Sequence, residues 1–420
     1  MRILHTADLH LDSPLRGLER YEGAPVDDIR GATRRAFENL IAVALREQVD
    51  LLVIAGDLYD GDWLDHNTGL FFTKGVTQLA EEGIPVAIVR GNHDAASRLT
   101  KTLRLPKNVH LFADSRPETR VFDDIGVAAH GQSFAAAVVS DDLAAGYPAP
   151  VAGCFNLGLL HSSLNGRPGH APYAPTQLDV LRGKGYGYWA LGHVHAAEIV
   201  CRDPWVVYPG NTQGRHIRET GAKGCALVTI EDHDIAHQFI ALDVMRWTSL
   251  SLDIGALPDL EALLDQVKRH LQQQLTEAED RALAVRLQIQ GSGPLHRRLA
   301  AQPEVVEQEI RNVAIEATNA RTWIEKVELR TRPLLDLDQL AQQDDPLGML
   351  LRELRALAAH PGLLRAVAVE ALGELQQKLP VELRQREDAL RLDDADALVE
   401  FLTEVEADLL ARLSSAEGIR

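Results

Sequence analysis

Leu51-Leu52-Val53-Ile54-Ala55-Gly56-Asp57-Leu58-Tyr59-Asp60 is the stretch that decides the fold. Its first five residues are apolar without interruption, so neither face of the segment is left for water. Such a short run predicts a strand buried on both faces, as in parallel sheets covered by helices. The Gly-Asp pair then ends the strand and places carboxylates just beyond its carboxyl end. In open α/β sheets that rim is where ligands collect.

The same pattern recurs outward from this stretch. Ile3–Thr6 predicts a strand followed by Asp8-Leu9-His10, and Val86–Val89 one followed by Gly91-Asn92-His93-Asp94. Phe155–Leu160 leads into His161, and Tyr186–Leu191 into Gly192-His193-Val194-His195. Between the first three strands, Asp27–Glu47 and Asn67–Glu82 read as helices; in the first, Ile29, Ala36, Leu40, Val43 and Ala44 fall near one face. From Val109 to Ala241 strands dominate, including Trp205–Tyr208 and Gly224–Ile230, which predicts a second sheet packed against the first.

The chain has 420 residues, 45% of them hydrophobic, and a net charge of −18. The length suggests two or three domains. The apolar content argues against wholesale disorder. Three domains are expected: 1–243 with the ligand-rich strands, 244–332 as a compact α+β module, and 333–420 as a helical tail. The module alternates strand (Thr248–Ile254), helix (Leu260–Leu275), strand (Ala284–Gln290), helix (Glu304–Thr318) and strand (Trp323–Leu329). The tail predicts helices near 347–359, 362–379, 381–390 and 395–413, with Leu398, Leu402, Val405, Leu409 and Leu413 at helical spacing. Cys154, Cys201 and Cys225 are too scattered for a disulfide framework or a zinc knuckle and read as core thiols of a reducing compartment. No apolar run of membrane-spanning length occurs, and the first residues lack a signal-peptide pattern. The expectation is a cytoplasmic protein with no membrane partner.

The rim residues are two carboxylates (Asp8, Asp57), one amide (Asn92) and four imidazoles (His10, His161, His193, His195). Without a thiolate, this set suits Mn²⁺, Mg²⁺, Fe²⁺ or Zn²⁺. Seven ligands are too many for one ion. Asp57 is the central candidate to bridge two, and paired ions about 3.5–4 Å apart are the usual means of hydrolysing phosphoesters. Any one cluster is weak on its own, because Asp-x-His and Gly-Asp are common by chance. Five of them in order, each at a strand end, are not.

That order, D-x-H, G-D-x-x-D, G-N-H-D, H and G-H-x-H, resembles the calcineurin-like metallophosphoesterases over about residues 1–240. The resemblance implies an α/β fold: a metallophosphoesterase β-sandwich flanked by helices, with the α+β module as a capping domain and the helical tail beyond it. It implies one ion held by Asp8, His10, Asp57 and His195 and a second by Asp57, Asn92, His161 and His193. It also implies that His93 protonates the leaving oxygen or stabilises charge, with Asp94 orienting its ring. More narrowly, the opening segment, the Ala55–Asp60 segment and Tyr208-Pro209-Gly210-Asn211-Thr212-Gln213-Gly214-Arg215-His216 resemble DNA-repair nucleases of the SbcD type, most closely the bacterial YhaO-type branch. That implies an SbcC-like ATPase bound through the C-terminal helices. Some of these nucleases carry a histidine where Asp60 stands, so no role of that histidine in handling DNA is carried over.

An acidic chain must meet DNA through local charge. Between Pro85 and His110 five bases (Arg90, Arg98, Lys101, Arg104, Lys107) face one acid, Asp94, and Arg215 with Arg218 forms a second cluster. Arg90, Arg98, Arg104, Arg215 and Arg218 are the candidate phosphate contacts. After Arg330 there are 18 acids and 10 bases, which suits a protein-facing role. The expected activity is metal-dependent exonuclease or endonuclease action on DNA with two divalent ions, foremost Mn²⁺, and with DNA, the ATPase and a second copy of the chain as partners. Two other readings stay open: a phosphodiesterase or phosphatase with a non-DNA substrate, and a non-catalytic scaffold.

Overall fold

The computed structural model describes all residues except 14–25, 61–65, 97–103, 167–171, 233, 280, 334–339, 380–390 and 417–420. Two compact units emerge: one of residues 1–248, 274–285 and 321–325, the other of 249–273, 286–320 and 326–420.

The first unit is built on two six-stranded sheets. One has order β12-β11-β1-β2-β3-β4, formed by β1 (Arg2–Thr6), β2 (Leu51–Ala55), β3 (Val86–Val89), β4 (Val109–Leu111), β11 (Gly224–Glu231) and β12 (Asp234–Ala241). Strands β1 to β4 run parallel, and β11 closes antiparallel on β1. The other sheet has order β5-β6-β7-β8-β10-β9, from β5 (Glu118–Phe122), β6 (Val127–Gly131), β7 (Phe155–His161), β8 (Tyr188–Gly192), β9 (Glu198–Arg202) and β10 (Trp205–Tyr208). Its four central strands are parallel and both edges are antiparallel.

Period-two alternation explains why both sheets need two covers. Leu51 and Val53 of β2 join Leu157, Leu159 and Ala190 in one buried layer between the sheets. Leu52 and Ile54 point the other way. They pack with Phe37 and Leu40 of α1 (Val26–Arg46) and with Phe72 and Val76 of α2 (His66–Glu81). The outer face of the second sheet is covered by Tyr147, Leu181 and Tyr186 around Trp189. Each fully buried large aliphatic side chain contributes about 1.5–3 kcal/mol, so the uninterrupted apolar strand of 51–55 is the signature of this double burial.

Beyond these sheets, β13 (Met245–Asp253), β14 (Ala282–Ser292) and β15 (Thr322–Arg332) form a three-stranded sheet of that order, and the division between the units falls within these strands. The second unit ends in helices Pro346–Ala358, Pro361–Lys378 and Ala395–Ala416. The helix expected over 381–390 lies outside the described residues. No described helix is long and apolar enough to cross a membrane. All three cysteines are free thiols. Only Cys225 is a core residue; Cys154 and Cys201 are half-buried, contrary to the expectation of three core thiols.

Candidate metal centre

The carboxyl ends of β1, β2, β3, β7 and β8 deliver Asp8, His10, Asp57, Asn92, His161, His193 and His195 to one rim. The backbone is bent to do so. Asp8, His10, Asp57 and His193 all have positive φ, between 44° and 97°. For side chains with a Cβ this region is unfavourable, and such strain concentrates at functional sites. Gly192 is fixed by space, because a Cβ there would run into the Ala55 carbonyl oxygen.

Three imidazoles are oriented the same way. His10 Nδ1 lies 2.6 Å from Asp60 Oδ1, and His195 Nδ1 lies 2.6 Å from Glu219 Oε1. His161 Nδ1 lies 2.9 Å from the Ala55 carbonyl oxygen. Since carboxylates and carbonyls only accept, each Nδ1 carries a hydrogen and each ring turns its Nε2 inward, bare whenever the ring is neutral. These Nε2 atoms converge: His10 and His195 stand 3.2 Å apart, and His161 stands 3.0 Å from Asn92 Oδ1. Asp57 divides its oxygens between two tasks. Oδ1 accepts the His93 backbone N–H at 3.0 Å. Oδ2 faces His161 Nε2 at 3.4 Å and His10 Nε2 at 3.9 Å. Asp8 Oδ1 lies 3.8 Å from His195 Nε2.

The donor set fits divalent cations. Lone pairs facing each other at such distances repel unless positive charge lies between them. Burial alone would suppress charge on His161, yet the neighbouring Asp57 holds its pKa up to about 9. The centre thus draws in a proton where a cation belongs. Asp8, His10 and His195 form one compact group of ligand atoms, Asp8, Asp57 and His161 a second. A third consists of His10, Asp60 and His93.

His93 stands at the edge, with 43% of its side chain exposed. Its Nδ1 lies 3.1 Å from Asp60 Oδ1. This bond first, and then the charge of Asp57, raise the His93 pKa against the opposing effect of burial. The carboxylate on the His93 ring is therefore Asp60, which corrects the ring-orienting role expected of Asp94. Asp94 is fully buried and ties backbone together, accepting from the N–H groups of Leu58 (2.9 Å), Tyr59 (3.1 Å) and Gly91 (3.0 Å). Burial, and then the charge of Asp57, raise its pKa to about 7.

The arginines expected to meet DNA divide. Arg90 is mostly buried and paired with Asp114 at 2.5 Å, and Arg215 is mostly buried in the centre itself, so neither lies open to phosphate. Arg104 and Arg218 are exposed. Arg98 and Lys101 lie outside the described residues. Sequence reasoning missed Glu219, whose only signal is an acid four residues after Arg215. It left Asp60 without a role.

Residues 1–197 match the family described as calcineurin-like phosphoesterase, and residues 247–332 match the middle domain of metallophosphoesterase YhaO. The chain is 35% identical over 298 residues to the uncharacterized metallophosphoesterase YhaO of Bacillus subtilis, covering 70% of this chain and 72% of that one. It is 24% identical over 352 residues to the DNA double-strand break repair protein Mre11 of Methanopyrus kandleri, covering 79% and 71%. A 102-residue stretch is 36% identical to Mre11 of Aeropyrum pernix, covering 24% and 23%. With the rim residues in place and these relatives beside it, the chain belongs to the calcineurin-like metallophosphoesterases, among the relatives of YhaO.

Proposed function

We propose that this phosphoesterase is a metal-dependent DNA nuclease that cleaves phosphodiester bonds during repair or end processing. The observation that carries the proposal is the inward convergence of three imidazole Nε2 atoms around Asp57, with the half-exposed His93 beside them. The relatives named Mre11 support DNA as the substrate.

Asp8, His10, Asp57 and His195 would hold one ion, and Asp57, Asn92, His161 and His193 the other; Mn²⁺ is the first candidate. When bound, the ions supply a nucleophilic hydroxide and neutralise phosphoryl charge. Asp57 shares its Oδ2 between the two halves of the centre while its Oδ1 is kept for the His93 backbone. Asp60 holds His93 through Nδ1, which leaves Nε2 to meet the substrate. The Asp60 bond favours the protonated ring, and in that form His93 would donate a proton to the departing sugar oxygen or stabilise charge there.

The C-terminal helices support docking of an SbcC-like coiled-coil ATPase. Met349, Leu363, Val367 and Leu375 expose apolar side chains there, between 42% and 61%. The tail also carries the acid surplus noted above. A second copy of the chain and a cytoplasmic setting complete the proposal.

The test is hydrolysis of end-labelled linear duplex DNA with added Mn²⁺. Asp57→Ala abolishes cutting. His93→Asn lowers turnover by about 10²–10⁴, the range of a general acid, and leaves metal content unchanged. Full activity of the His93 variant removes that residue from the mechanism. One observation favours a smaller phosphodiester as substrate: Arg90 and Arg215 are committed to internal ion pairs. Hydrolysis of a chromogenic diester without DNA cutting would establish that reading.

A further inference from the structure

Arg215 sits at a junction. Its Nη1 reaches Asp60 Oδ2 at 3.3 Å, and its Nη2 reaches Glu219 Oε1 at 3.1 Å and approaches His195 Nδ1 at 3.4 Å. Only 13% of the side chain is exposed, and its Nε–H has no protein partner among the described residues. A buried unsatisfied donor is unfavourable, so the side chain is held for its two terminal nitrogens.

The two carboxylates it joins are the ones that turn the imidazoles inward. Asp60 Oδ1 receives Nδ1 of both His10 and His93. Glu219 Oε1 receives Nδ1 of His195. Glu219 Oε2 is pinned by Asn211 Nδ2 at 3.0 Å and by the Arg215 backbone N–H at 2.8 Å. Asp60 Oδ2 has the guanidinium as its charged partner. The chain Asp60–Arg215–Glu219 thus ties together two loops 155 residues apart in sequence. A forked, planar cation suits this task, since one lysine ammonium cannot hold two separated carboxylates with fixed geometry.

We infer that Arg215 is a positioning residue. It clamps Asp60 and Glu219 so that His10 and His195 present Nε2 to one and the same cation, and it does not contact substrate phosphate. Groups that orient ligand histidines typically contribute 10–100-fold to metal affinity. The clamp acts on the half of the centre containing His10 and His195; in the other half, His161 is oriented by the Ala55 carbonyl oxygen, which Arg215 does not touch. The inference rests on the metal-centre reading and not on DNA as the substrate.

Titration calorimetry of the metal-stripped full chain with MnCl₂ tests it. The wild-type chain takes up two ions. Arg215→Ala weakens one of them by about 10–100-fold and leaves the other unchanged. Arg215→Lys recovers part of the loss, and Glu219→Gln, close to isosteric, weakens the same ion; these two variants serve if Arg215→Ala folds poorly. With bis-p-nitrophenyl phosphate at limiting Mn²⁺, kcat falls while KM stays within about twofold. Wild-type affinity for both ions in Arg215→Ala and Arg215→Lys, with a raised KM, overturns the clamp in favour of a substrate contact. A wild-type chain that binds no Mn²⁺ overturns the metal centre and the clamp with it.

Discussion

His5 shows how one buried group sets the acid limit of the fold. Its Nε2 lies 3.1 Å from the Leu191 carbonyl oxygen, so that nitrogen donates, and Nδ1 accepts from the Tyr188 hydroxyl at 3.0 Å. Burial lowers its pKa to about 3, well below the ordinary histidine value of 6.5. The unfolded chain therefore binds a proton that the folded chain refuses. The contribution to stability is intact above pH 6.5 and is lost as pH falls towards 3, at up to about 1.4 kcal/mol per unit. Urea unfolding of wild type and His5→Asn between pH 7 and pH 4 checks this, and the variant shows the shallower slope. At the same scale, the candidate metal ligands could be picked out because each follows its strand within a few residues. Asp60 and Glu219 could not, because their roles arise from side chains that meet only after folding. The same is true of Arg215: read along the chain it is a loop cation, and only the fold shows it turned towards two acids.

Strands with both faces covered announce themselves, and strands with one face open do not. β2 spans Leu51–Ala55 and β3 spans Val86–Val89, as their sequences predict. The edge strands β9 and β12 are half-buried or exposed along their whole length and carry no such signal. The same logic ranks mutations. Leu52 is fully buried between β2 and the two helices. Leu52→Ala removes about 2–5 kcal/mol by lost transfer energy and the cavity left behind. Chemical denaturation measures this, and a loss below 1 kcal/mol contradicts the packing described. A change at Ser251, exposed on its strand, stays within about 0.5 kcal/mol.

For the whole molecule, the net charge is −18. With Arg90 and Arg215 turned inward, two of the five candidate phosphate contacts are withdrawn. The free chain is expected to bind duplex DNA weakly, with a log–log salt slope no steeper than about −3. Fluorescence anisotropy across a salt series reads this directly, and a slope near −8 refutes it. The alternation of elements made this architecture legible from sequence, but the direction of each charged side chain was not. One detail of the rim reaches furthest. Beyond their strands, the loops after β1 and β2 stay hydrogen-bonded: Asp8 N to Gly56 O (2.9 Å), His10 N to Asp57 O (3.1 Å) and Leu11 N to Leu58 O (2.9 Å). In deuterium exchange these loop amides should therefore behave like core strand amides, opening only when the whole first unit unfolds. Most enzymes keep their working loops in the fast-exchanging fraction; here the slow clock of the core extends into the working rim, metal or no metal.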